Sequence, residues 1–477
     1  MRWRRTRHCR HLGTAQLNTM KKITLLLALF FSSILGISAQ IALRGKITNI
    51  PANAIQVALV DYWAVDHWQQ LAILQLQADG AFSANITPPV QAQCRIRMAG
   101  QNKAWTDFML PPTGIQPDST LLLDLDFTAM NGSPARIKGS AENEVYFELM
   151  TAYHSLNLLR DSSAATPPTT LREAEHQFNL VCQKISQEHR ESFTGDMVAN
   201  LLRLPEPVPT TEKTTKETLP SSNAFAIAHA LENIPFRSEK ILYHNGFAKA
   251  LNRYYLYFEP KNEENSKLYV DGIMSRRNGS EAVDVFLFKY LLDKMLDAKD
   301  EAGLHHLLTW YLPDCSDESP LPNYIKTLIQ ALKSCEPGKT IPDQRMPGPD
   351  GNSISIESVC AKNKITLLFF WRSNCSHCKE FKPVLAALYD KYHPLGLEIL
   401  AFSLDNLEVG WKESLQREPT KWVNAFIPAE QRKAINLLFP IPSTPTLIAL
   451  DNTCTVVSRL ILREQLEVFL KEKLGEK

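Results

Sequence analysis

The sequence predicts a multidomain chain: an N-terminal all-β sandwich, an all-α middle domain and a C-terminal α/β domain, preceded by an export leader. Three observations predict it. The apolar spacing is strand-like up to about Gly139 and becomes helical from Ser140. From Gly338 onward, apolar runs of strand length alternate with amphipathic stretches. Ahead of both, Met20-Lys21-Lys22 leads into the apolar run Ile23 to Ile37 and then into small residues Ser38 and Ala39.

That last order is the order of a secretory signal, with a basic start, an apolar middle and a small-residue cleavage region. The run is shorter than the roughly 18 to 20 apolar residues that span a bilayer, so residues 1–39 are expected to be removed near Ala39 rather than retained as an anchor. The arginine-rich stretch before Met20 either extends the basic region or lies upstream of the true start, and the second reading is favoured. A periplasmic or otherwise extracytoplasmic location follows, with no integral membrane segment after cleavage. The 52 basic and 51 acidic residues nearly cancel, which removes any general electrostatic reason to expect nucleic acid as a partner.

Residues 41–139 show short apolar or alternating runs such as Gln56-Val57-Ala58-Leu59-Val60 and Leu121-Leu122-Leu123-Asp124-Leu125, with a turn at Ala78-Asp79-Gly80. Strands at this spacing suggest a small antiparallel sandwich. No cluster of His, Asp or Cys marks a site there. Residues 140–335 form the expected helical domain, opening at Ser140-Ala141-Glu142 and continuing through Val145, Phe147, Leu149 and Tyr153. Residues 204–223, with Pro205, Pro207 and Pro209 before a Thr, Lys and Glu tract, interrupt it as an expected mobile loop. His305-His306 is a poor metal site, because adjacent side chains on a helix diverge by about 100 degrees.

Eight of the nine cysteines lie beyond the leader, too sparsely for a disulfide scaffold. Cys315 and Cys335 flank a helical stretch and are candidates to pair; Cys94, Cys182 and most others read as buried thiols. Cys375 and Cys378 differ in context. Ile365 to Trp371 is a strand-length apolar run, and helical spacing follows Asn374 through Phe381, Val384, Leu385 and Leu388. Cys375 therefore stands at a helix N-terminus, where free backbone N–H groups and the helix dipole favour its thiolate, and Cys378 stands one turn away, where it can close on Cys375. His377, when protonated, would favour the anion further. Zinc also uses this spacing but needs a second ligand pair, and Cys360 and Cys454 stand alone in the sequence. No metal or cofactor is expected.

Phe370-Trp371, Cys375-Ser376-His377-Cys378-Lys379, Pro383 and Thr444-Pro445-Thr446 together resemble the thioredoxin pattern. Trp371 precedes the first Cys by four residues, and Pro383 follows the second by five. Residues 338–477 thereby acquire an expected thioredoxin fold, with Pro445 matching the family's cis-proline. The long interval from Cys375 to Pro445, with Asn406 to Leu438 read as an inserted helical segment, is similar to the exported TlpA/ResA-like branch. So are Gly338-Lys339-Thr340-Ile341-Pro342-Asp343 and the turn Asp350-Gly351, which resemble that branch's entry hairpin.

The resemblance implies thiol-disulfide exchange with protein thiols or disulfides, supported by an envelope electron donor. Cys375 and Cys378 are its catalytic pair, and Trp371, His377, Thr444 and Pro445 are its supporting residues. Two departures leave the direction of electron flow open. Phe369 stands where many thioredoxins carry a buried acid, so proton transfer must use water, His377 or another group; and Ser376-His377 replaces Gly-Pro. Two other readings stand beside this one: a thiol peroxidase, against which Arg372 occupies the place of the peroxidase Thr, and a binding or assembly protein that uses the fold for docking.

Overall fold

The computed structural model describes residues 40–101, 104–110, 119–162, 168–206, 222–258, 262–277, 280–312, 321–459, 461 and 463–475. The expected leader, Cys315 and most of the 204–223 loop lie outside the described residues. The chain divides into two compact units. One runs to Pro235 and includes Lys240–Tyr254; the other comprises Phe236–Glu239 and the chain from Tyr255. Among the described residues, no helix is long and apolar enough to cross a membrane.

The first unit begins with strands β1 (Ile41–Thr48), β2 (Val57–Ala64), β3 (His67–Gln75), β4 (Ala81–Ile86), β5 (Gln93–Met98), β6 (Trp105–Met109) and β7 (Ser119–Asp126). They form two sheets, β4-β1-β7 and β3-β2-β5-β6. In β7, Leu121, Leu123 and Leu125 are buried while Leu122 and Asp124 face outward, the period-two pattern of a sheet with one covered face. Leu43, Val60, Ile96, Phe108 and Leu123, from both sheets, share one core, so the sandwich is present. It is not wholly antiparallel, because β1 and β7 run parallel, with Leu43 beside Leu121 and Gly45 beside Leu123. Gly45 suits this pairing, since a Cβ there would lie 2.0 Å from the Leu123 carbonyl oxygen. Alternation reports which residues face the core; it carries no sign of which distant strand lies alongside or in which direction.

Ser140 caps the helix Ala141–Asp161, its hydroxyl accepting from Asn143 N at 3.3 Å. Asn143 in turn bonds both backbone groups of Met109, at 2.8 and 2.7 Å, which ties this helix to β6. The middle helices divide between the units. The first of them belong with the strands, whereas Glu263–Met274, Glu281–Asp297, Glu301–Trp310 and Asn323–Ser334 belong with the C-terminal domain.

That domain contains a small hairpin, β8 (Arg345–Pro347) with β9 (Ser353–Ser355), turning at Asp350-Gly351, where Gly351 has φ +78°. Then come β10 (Ile365–Trp371), β11 (Leu397–Ser403), β12 (Val423–Phe426), β13 (Thr446–Asp451) and β14 (Val456–Ser458), in the sheet order β12-β11-β10-β13-β14. β10 is central, parallel to β11 and antiparallel to β13. All seven of its residues are buried, which is why it reads as a continuous apolar run. Ile365, Leu367, Phe369 and Trp371 face the core that includes Phe381, Leu385 and Leu470; Leu368 and Phe370 face a second core with Cys335, Cys360 and Cys454.

The stretch from Asn406 to Leu438 is not purely helical, because edge strand β12 lies between helices Glu408–Arg417 and Arg432–Leu438. Four residues are too few for periodicity to declare a strand; pairing with β11 makes it one. Beyond β14, Arg459 is almost fully buried. Its guanidinium binds both carboxylate oxygens of Glu301, at 2.6 and 3.1 Å, and the Leu332 carbonyl, joining the preceding helices to the sheet.

Candidate active site

The C-terminal end of β10 delivers the chain through Arg372–Asn374 to the helix Ser376–Tyr392, whose N-cap is Cys375. Cys375 Sγ accepts from Cys378 N at 3.2 Å, the place a Ser or Asp oxygen takes at other helix starts. The sulfur thus occupies the electropositive end of the helix. Cys378 is fully buried and Cys375 is partly exposed, so only the first sulfur meets a large substrate.

Asp405, just past β11, anchors the approach to Cys375. Its carboxylate accepts from Ser373 N at 2.9 and 3.2 Å, from Ser373 Oγ at 3.0 Å and from Ser403 Oγ at 3.0 Å. Sequence reasoning missed this residue. The available signal was its place immediately beyond a parallel strand's C-terminal end, where sites gather in α/β folds.

The Thr444-Pro445 peptide bond is cis. Thr446 pairs with Phe370 across the antiparallel β10–β13 ladder, so the residues before Thr446 lie beside Trp371 and the cysteines. The Cys375 thiol donates to the Thr444 carbonyl at 3.4 Å. Trp371 is buried at the end of β10, its ring parallel to Phe369 at 6.3 Å. Phe369 itself is sealed in the core, with no ionisable group in the acid's place. The imidazole of His377 is exposed, and its backbone N–H is what hydrogen-bonds Cys375. The structure therefore brings Cys375, Cys378, Trp371, Thr444 and Pro445 together, and brings His377 through its main chain.

The two thiols are driven apart electrostatically. Partial burial raises Cys375, but hydrogen bonds from the Cys378 thiol, from Thr444 and from the backbone N–H groups of Cys378 and His377 outweigh it, leaving Cys375 below the ordinary thiol range. Burial first, then the adjacent Cys375, pushes Cys378 up to about 12. Cys375 is therefore the more readily ionised thiol of the pair, and Cys378 the one that holds its proton more tightly.

Cys360 and Cys454 do not stand alone. Remote in sequence, their thiols are hydrogen-bonded to each other within the core on the far face of the sheet. His306 bonds Asp271 at 2.6 Å, and His305 lies 3.3 Å from Glu336. Among the described residues, no group of three His, Cys, Asp or Glu side chains is placed to hold a metal ion.

Residues 363–456 match the family model described as Thioredoxin-like. Tryparedoxin of Trypanosoma brucei brucei is 33% identical over 102 residues, which are 20% of this chain and 67% of that protein. The chain belongs to the thioredoxin-like family. Within this family, the thiol-disulfide oxidoreductase ResA of Bacillus cereus is 28% identical over 138 residues, 28% of this chain and 77% of that protein. The thioredoxin-like domain here is of that TlpA/ResA-like, thiol-disulfide oxidoreductase type. Among solved structures, a thioredoxin-like protein of Bacteroides caccae is 18% identical and covers 55% of this chain and 99% of its own, with a TM-score of 0.41. A thiol:disulfide interchange protein of Bacteroides sp. is 23% identical over 30% of this chain and 93% of its own, with a TM-score of 0.28.

Proposed function

We propose that the chain is an extracytoplasmic thiol-disulfide oxidoreductase that exchanges disulfides with protein substrates through Cys375 and Cys378, as a reductase or isomerase. The observation that carries this reading is the division of labour in the pair: a partly exposed Cys375 sulfur at a helix start, where hydrogen bonds favour its ionisation, and a buried Cys378 one turn away whose thiol is pushed up to about 12. The Cys375 thiolate attacks a substrate disulfide, forming a mixed disulfide and releasing one substrate thiolate, which takes a proton from solvent. Cys378 then loses its proton and attacks Cys375 Sγ; the Cys375–Cys378 bond forms, the bond to substrate breaks, and the second substrate thiolate leaves. Two electrons pass from the pair to the substrate, and an envelope dithiol donor restores them. The Thr444-Pro445 loop beside Cys375 offers its backbone to an extended substrate chain.

Replacing Cys378 with Ser stops the second attack, so mixed disulfides are expected to accumulate on Cys375 when the variant is incubated with disulfide-bonded proteins and resolved on non-reducing gels. Recovery of no trapped species from any reducible protein would overturn the reading. Export rests on the sequence around Met20 to Ala39, and the mature N-terminus, read by mass spectrometry, is expected just after Ala39.

A further inference from the structure

Lys382 is placed where a lysine is costly. It follows Cys378 by four residues on the same helix and so projects from the same face. Only 8% of the residue is exposed. Its Nζ lies 3.8 Å from the centre of the Trp371 ring and 3.4 Å from Glu418 Oε2. Burial lowers its affinity for a proton, while Glu418, Cys378 and Asp405 act to restore it. A buried ammonium is poorly compensated by a single partner as exposed as Glu418, and an aliphatic side chain would fill this site at least as stably. Packing does not account for the residue.

The chemistry beside it supplies a reason. Cys378 must surrender a proton during resolution, burial opposes its anion, and Phe369 leaves no acid beneath the pair. Lys382 is a basic side chain one turn along the helix on the same face as Cys378, and the two are electrostatically linked. It also borders a groove of about 330 Å³ lined by Lys379, Pro383, Tyr389, Glu418 and Trp422, which leads to solvent.

We propose that Lys382, held between the Trp371 face and Glu418, is a positioning residue for resolution that stabilises the Cys378 thiolate as its proton leaves to water. The inference rests on the oxidoreductase reading above. Lys382 keeps its own proton throughout: the Cys378 S–H bond breaks, the proton passes to water, the thiolate attacks Cys375 Sγ, and the substrate sulfur departs with the electron pair. The other charged groups around this site are Lys379 on the same helix, Asp405 beyond β11, Arg463 over Phe381 and the Asp390–Lys421 ion pair at the groove. Of these, none contacts Lys382 as closely as Glu418 does.

The test uses the reduced full-length chain and 5,5'-dithiobis(2-nitrobenzoate), whose two coloured thiolates are released in sequence, the first by Cys375 attack and the second by Cys378 resolution. Lys382→Met is expected to leave the first phase within about twofold and to slow the second about tenfold at neutral pH, moving its pH midpoint upward, as expected for loss of one nearby charge. Lys382→Arg is expected to keep both phases near the parent's. Unchanged second-phase rate and pH midpoint in Lys382→Met would overturn the proposal, as would equal slowing by Met and Arg, which marks a packing role. If Lys382→Met does not fold, Lys382→Gln gives the same comparison. Failure of the oxidoreductase reading is separate: it appears as absent trapping by Cys378→Ser with Lys382 intact.

Discussion

Cys375→Ser is expected to abolish disulfide exchange, lowering insulin reduction by roughly a thousandfold or more, as removal of an attacking nucleophile does. A hydroxyl at the same helix cap still accepts from Cys378 N, so the fold is retained while the nucleophile is lost. The accompanying pH dependence has a definite sign. Hydrogen bonds hold Cys375 below the ordinary thiol range, so alkylation of the parent by iodoacetamide should plateau at high pH and decline as pH falls through that lowered value. Cys378, pushed up to about 12, should remain unlabelled across the same interval. A variant retaining more than a tenth of the activity, or a Cys375 titration at or above the ordinary thiol range, would refute this assignment of roles. The same stabilisation of the reduced thiolate makes the Cys375–Cys378 disulfide a stronger oxidant than it would be without it.

The second large effect concerns stability. Arg459→Ala is expected to destabilise the unit containing the thioredoxin-like domain by about 2–3 kcal/mol, because a buried side chain and its hydrogen bonds are lost and a buried carbonyl is left unpaired. The substitution leaves the Glu301 carboxylate and the Leu332 carbonyl without their guanidinium partner. Arg459→Lys should recover only part of the loss, because an ammonium cannot engage both Glu301 oxygens and the carbonyl in the same fork. Glu301→Gln should also be costly, because it leaves the buried Arg459 guanidinium without its counter-charge. Hydrogen exchange of the β10 amides in the full-length chain measures these differences within the domain itself. Protection in Arg459→Ala within about 1 kcal/mol of the parent would show that the clamp contributes little.

The placement of the candidate pair Cys375 and Cys378 was legible because its signals are local. Seven consecutive buried residues in β10, a helical period after Asn374, and Trp371 and Thr444-Pro445 at family spacing place Cys375 at a helix start beside a proline loop. The supporting role read for the His377 side chain was less legible, since an exposed helix position leaves the imidazole turned to solvent while the backbone N–H meets the sulfur. Asp405 was overlooked for a related reason: one polar residue after a strand acquires meaning only when β11 lies beside β10 and its carboxylate meets Ser373.

By itself, then, the sequence determined the strand and helix character of most elements, the order of β, helical and α/β regions, and the placement of Cys375 and Cys378 at a helix start, all of which depend on residues a few positions apart. Tertiary structure alone decided the parallel pairing of β1 with β7, the contact between Cys360 and Cys454, the charge of Lys382 over Trp371, and the grip of Arg459 on Glu301, 158 residues away. These contacts join segments that approach only when separate cores close. Side-chain periodicity records burial within one element, and it holds no record of which distant element completes it.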